Sequence, residues 1–237
     1  MKRFAPFLVL AFVACSASPT PYATIVGALK PGSVMTVNIE SGVINAFKPA
    51  QSDPTDRYTI SPTAAGATPP PPPLIHPSGS GITVDATGTL ANLLVRVPQG
   101  VNLVVHSKHG NVNVTDISGN VDVQAEEGDV KIMVTGQAQA RTTNGSIDAT
   151  MGATSWPGTL HFSAQNGDVT VYIPETAAFH AHLHTDDGTL FTDFNLRGTS
   201  QGNNETIDAP VNSGSAFGVD LESKRGTVRL LRLTPQA

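Results

Sequence analysis

The stretch Leu103-Val104-Val105-His106-Ser107-Lys108-His109-Gly110-Asn111-Val112 decides the architecture. Leu103 and Val105 alternate with outward positions, which marks a strand with one buried face. Ser107 is small and leaves room where the chain bends inward. Gly110 tolerates the positive φ that such a bend requires, and Val112 restarts the buried face. The unit recurs five times. Its Gly110 position is repeated by Gly128, Gly145, Gly167, Gly188 and Gly226, at spacings of 18, 17, 22, 21 and 38 residues. The last gap is about twice the others, and it predicts one degenerate coil carrying a loop over 197–212. Gly119, Gly136 and Gly158 lie half a coil away, so each coil holds two strands and two turns.

The fold class that follows is all-β: a single β-solenoid (β-helix) of about six or seven coils with two short strands per coil. Stacked coils bury a continuous apolar ladder that no single coil could bury alone. A sandwich of short hairpins is the alternative, but it gives no reason for one unit to appear six times. No window shows helical period, and Gly (22) and Pro (18) interrupt every long stretch. Of 237 residues 39% are hydrophobic, which excludes wholesale disorder. A net charge of −5 without a basic block argues against nucleic acid as a partner. One cysteine excludes an internal disulfide framework.

The N-terminus reads as an address. Lys2 and Arg3 precede an apolar run that ends at small residues, the layout of a signal peptide over 1–14. Phe12-Val13-Ala14-Cys15 resembles the lipobox of bacterial lipoproteins, although Phe12 stands where leucine is usual. That resemblance implies lipidation at Cys15 and an exported, membrane-anchored envelope protein. An ordinary signal peptide cut near Ala17 is the alternative. Residues 15–32 then read as a tether and 33–47 as a candidate first coil. Residues 48–80 read as a proline-rich loop or spacer with five prolines at 69–73, and 81–234 as the solenoid.

Further residues carry a family resemblance. Val95-Arg96-Val97-Pro98-Gln99-Gly100-Val101 leads into Ser107-Lys108-His109-Gly110-Asn111-Val112. Ile117-Ser118-Gly119-Asn120-Val121, Thr143-Asn144-Gly145-Ser146-Ile147 and Gln165-Asn166-Gly167-Asp168-Val169 follow. Over 81–233 the chain resembles the bacterial putative-adhesin domain family, a β-solenoid domain of unknown function, with the head-GIN autotransporter adhesins as similar proteins. The resemblance implies an architecture and an adhesin-like role. It brings no catalytic residues with it.

The sharpest local feature is His180-Ala181-His182-Leu183-His184. Alternation puts the three imidazoles on one outward face. His161 occupies the slot of His182 one repeat earlier, so stacking predicts that the two are neighbours about 4.8 Å apart. Such a cluster could hold zinc or nickel, with Asp186 and Asp187 adding oxygen. A solvated polar face explains the same residues. Glu126-Glu127-Gly128-Asp129 and Asp186-Asp187-Gly188 read as solvated turns, because the calcium-binding glycine pattern is absent. No nucleophile elbow or clustered sugar platform occurs: Trp156 sits in a turn, and Tyr172 is the one tyrosine expected on an outward face.

The function expected is therefore non-enzymatic: surface interaction or envelope structure, with no cofactor unless the histidines bind metal. The partner would be an envelope or extracellular glycan or protein, and membrane contact would come only through the N-terminal lipid. A polysaccharide-acting solenoid is a further alternative. Val130 and Ile147 are predicted to be buried, and replacing Asn111 or Asp129 is predicted to have only a mild effect.

Overall fold

The computed structural model describes residues 24–51, 53–64, 71–214 and 216–234. The signal segment 1–14, Cys15 and the first part of the tether lie outside the described residues. The described chain forms twenty strands and no helix. The first six are β1 (Ile25–Ala28), β2 (Val34–Ser41), β3 (Ile44–Phe47), β4 (Arg57–Ala64), β5 (Leu74–Ser78) and the long β6 (Gly81–Arg96). Regular pairs follow: β7 (Asn102–His109) with β8 (Val112–Ile117), and β9 (Val121–Glu127) with β10 (Val130–Val134). Next come β11 (Ala138–Asn144) with β12 (Ile147–Met151), and β13 (Thr159–Asn166) with β14 (Val169–Pro174). The chain ends with β15 (Phe179–Asp187), β16 (Leu190–Thr192), β17 (Thr199–Gln201), β18 (Asn204–Val211), β19 (Gly218–Arg225) and β20 (Val228–Leu233).

Each pair is one layer of a solenoid with two faces. The first strand of every pair joins one parallel sheet, here sheet B, and the second joins sheet A. Sheet B runs β6, β2, β7, β9, β11, β13, β19, β15. Sheet A runs β6, β3, β8, β10, β12, β14, β20, β16. The first half of β6 lies in sheet B and its second half in sheet A. The parallel stack thus has eight layers, where the repeat count predicts six or seven.

The layers do not stack in chain order, and this corrects the sequence reading twice. The β2–β3 coil is wedged between β6 and β7–β8 instead of forming an end. At the other end, the last repeat, β19–β20, inserts between β13–β14 and β15–β16. The 38-residue gap is therefore no degenerate coil. It holds β17 and β18, an antiparallel hairpin that runs along the outer edge of β15 before the chain turns back inward. At the opposite end β4 and β5 pair antiparallel with the two halves of β6, and β1 pairs with β4. These strands come from stretches read as spacer and tether. They cover sheet edges that would otherwise present unpaired backbone. Among the prolines, 71–73 precede β5 and take no part in the ladder.

Two columns explain why the repeat has its form. At one corner Gly42, Gly110, Gly128, Gly145, Gly167, Gly226 and Gly188 stack directly. A Cβ on any of the last six would fall on the carbonyl oxygen of the glycine in the neighbouring layer. Most of them also have φ between +126° and +153°. Beside the glycines, buried hydroxyls donate to the same carbonyls: Ser223 to Gly167 at 2.8 Å and Thr185 to Gly226 at 3.0 Å.

The residues after Gly110, Gly128, Gly145 and Gly167 each tie one layer to the next. Asn111 Oδ1 accepts from the Asp129 amide (2.9 Å), and Asp129 Oδ1 from the Ser146 amide (2.9 Å). Ser146 Oγ accepts from the Asp168 amide (3.2 Å), and Asp168 Oδ1 from the Thr227 amide (2.8 Å). Asn111 and Asp129 are thus acceptors that join neighbouring layers.

The core between the sheets is the expected ladder, with Val130, Ile132, Ile147 and Ala149 all at most 1% exposed. Where the chain reverses, the core turns aromatic. Buried Trp156 packs on Phe179 (ring centres 5.6 Å apart) and donates Nε1–H to the Gly218 carbonyl at 2.9 Å.

Candidate functional site

The outward positions of sheet B form rows that cross the strands. One row is fixed by register: Asn38 lies beside His106, then Gln124, Arg141 and Ser163, on β2, β7, β9, β11 and β13. Parallel strands lie about 4.8 Å apart, so the row repeats at that interval over roughly 19 Å. Near the corner the alternation breaks. The two residues after buried Ser107 (Lys108 and His109) are both exposed, as are Glu126 and Glu127 after buried Ala125. The chain therefore leaves a rim beside the row.

The rim is held together across layers. His109 Nδ1 lies 3.0 Å from a Glu127 carboxylate oxygen, and Asn166 donates to Asn144 at 2.8 Å. Arg225 then donates to Asn166 at 2.7 Å. Between rim and row runs a groove of about 710 Å³, lined by Asn38, His106, Gln124, Arg141, Ser163 and the flanking Lys108, Glu126, Thr143 and Gln165. Its lining is mostly amides, hydroxyls, charged groups and the His106 imidazole, with Ile39 and Ala125 among them and no Phe, Tyr or Trp.

The outer face of sheet A differs. Its register aligns Phe47, Thr115, Met133, Thr150, Tyr172 and Leu231 in a row that is half apolar, and Tyr172 faces outward as expected.

The histidines lie further along the outer face of sheet B. His180, His182 and His184 alternate with buried Ala181 and Leu183, so the outward facing holds. The expected contact of His161 with His182 does not form. β19 passes between them and places Asp220 opposite both. His161 Nδ1 lies 3.1 Å from Asp220 instead. His180 and His182 share one carboxylate on β18, Asp208. His184 bonds Thr206 (3.1 Å) and Asp186 (3.0 Å). Hydrogen bonds from His180 and His182 hold the Asp208 carboxyl below its usual range. Among the described residues no three His, Cys, Asp or Glu side chains are gathered into a metal-holding group. Each imidazole is placed against a carboxylate or hydroxyl rather than against another imidazole. Chain order made His161 and His182 look like neighbours, and the inserted layer separates them.

The groove itself escaped sequence reading. Its residues are the variable outward positions of the repeat, and only the register brings them into line. The repeat phase could have found the row, because Asn38, His106, Gln124, Arg141 and Ser163 each lie four residues before their corner glycine.

No curated protein matches the chain. Among solved structures, a putative cell adhesion protein from Clostridium sporogenes is 9% identical with a TM-score of 0.47, covering 90% of this chain and 100% of that one. A putative adhesin from Bacteroides fragilis is 11% identical with a TM-score of 0.42, covering 89% of this chain and 96% of that one. The model of the family described as Toastrack DUF4097 matches residues 80–231, well over half of the chain and all the layers from β6 onward. The chain therefore belongs to the Toastrack DUF4097 family.

Proposed function

We propose that this protein is a non-enzymatic, adhesin-like binding module of the cell envelope that holds an extended glycan in the groove on sheet B. One observation carries the reading: the groove crosses five successive layers and offers a hydrogen-bonding side chain at every layer. A polymer of sugars presents hydroxyls at a comparable interval, so one chain can meet the row repeatedly through individually weak contacts. Export rests on the N-terminal segment, and anchoring rests on Cys15.

The test is titration of the intact mature chain against a panel of polysaccharides. Ser163→Trp, which blocks the groove at an outward position, is the control. Binding that Ser163→Trp abolishes while the melting temperature holds supports the reading. Binding indifferent to it moves the site elsewhere. Protease shaving of intact cells, with an epitope tag at the C-terminus, tests location: cleavage on whole cells is expected for an outward-facing module.

A further inference from the structure

Within the groove the one arginine stands without a counter-charge among the described residues. Arg141 makes no ion pair or hydrogen bond among the described residues, although it lies within the polar row between Gln124 and Ser163. Several other cations of the outer faces are engaged: Lys108 lies 3.8 Å from Glu40, Arg96 2.7 Å from Asp53 and Arg229 2.9 Å from Asp168. The neighbours of Arg141 along the row are the neutral Gln124 and Ser163. The acids of that row come only beyond its ends, Asp85 past Asn38 and Glu222 past Ser163. Glu126 is the one carboxylate in the groove lining, and it stands in the rim row, beyond ion-pair distance of Arg141.

A guanidinium is a planar fork that suits a carboxylate in a two-point hydrogen bond, and flanking amide and hydroxyl groups suit sugar hydroxyls. We infer that the groove selects an acidic polysaccharide, one whose uronate carboxylate docks on Arg141 while the adjoining sugar hydroxyls meet Gln124 and Ser163. This rests on the glycan reading above and adds the chemical class of the ligand.

The experiment uses oligogalacturonate and the same oligosaccharide with its carboxyls reduced to alcohols. The intact mature chain is titrated with each, beside its Arg141→Gln and Glu126→Gln variants. Loss of one charge-assisted contact predicts about tenfold weaker binding. The acidic oligosaccharide is therefore expected to bind about tenfold tighter than its reduced counterpart. Arg141→Gln should erase that difference without weakening the reduced one, and Glu126→Gln should widen it. Equal binding of the two oligosaccharides, or an acid preference that survives Arg141→Gln, overturns the inference while leaving the groove reading standing. Binding of single-stranded DNA as tight as that of the acidic oligosaccharide also overturns it, because the groove would then answer to charge alone. If neither oligosaccharide nor any other glycan binds, the groove reading itself fails. Arg141 is exposed, so melting curves of the variants are expected to superimpose on the parent's.

Discussion

Gly145 shows what a single position costs in this fold. Its φ is +147°, and an added methyl would fall on the Gly128 carbonyl oxygen. Relief requires two layers to separate, so Gly145→Ala is expected to lower stability by about 2–3 kcal/mol in denaturant titration. The acceptor column gives a milder expectation. Asn111→Ala strips an acceptor from the Asp129 amide and should cost about 1 kcal/mol. Lys131→Ala, at an exposed position with no ion pair among the described residues, should cost almost nothing.

Asp168 adds a pH signature. Burial opposes its charge, yet the Thr227 amide and Arg229 outweigh burial and hold the carboxyl below its ordinary value of 3.8. A depressed carboxyl stabilises the fold in its charged form. That contribution is complete above pH 3.8 and is lost as pH falls through the folded value. The stability gap between parent and Asp168→Asn should therefore be open at pH 7 and shrink once the pH passes below 3.8.

At the scale of the strand, period-two alternation was enough to face the side chains. Val130 and Ile147 are about 1% exposed, and replacing either with Asp should unfold the domain, because a buried unpaired charge costs several kcal/mol. Loss of the cooperative melting transition is the readout. The same alternation placed His180, His182 and His184 outward, and it did so without any tertiary information.

Neighbours between layers were not legible. The repeat unit fixes the cross-section of a coil, and any coil of that cross-section can stack on any other. Layer order is set by the connections, and the 188–226 connection carries a hairpin that no repeat signal announces. Hence the groove on β2, β7, β9, β11 and β13 could be placed on one face from sequence, while the contact of His161 with Asp220 could not. Ending the chain at residue 212 is a sharp test of the inserted layer. It removes β19 and β20 from between layers that depend on them, so β15 and β18 should come loose with them. Limited proteolysis should then cut throughout residues 175–211 instead of leaving a trimmed, resistant stack.

At the scale of the molecule, the family region 80–231 lacks one interior layer of this protein's stack. The β2–β3 coil lies outside that region in sequence and inside the stack in space. A fragment begun at residue 80 leaves the facing edges of β6 and β7 without their partner. It is expected to aggregate, whereas a fragment of 24–234 should give a single cooperative unfolding transition. Simple solenoids can lose an end repeat and remain folded, because each repeat contacts only its neighbours. Here the β2–β3 and β19–β20 layers, from early and late in the chain, both lie inside the stack.

The two ends should answer differently to mechanical load. Among the described residues β1 pairs with β4 alone and can be peeled from it bond by bond. β20 is bonded on one side to β14 along its whole length and on the other to β16. Traction on the C-terminus must shear two ladders together, while traction on the N-terminus opens a zipper. A module of this build gives way softly at one pole and holds fast at the other. The side from which it is tethered would decide how much tension a bound ligand can transmit before the stack begins to open.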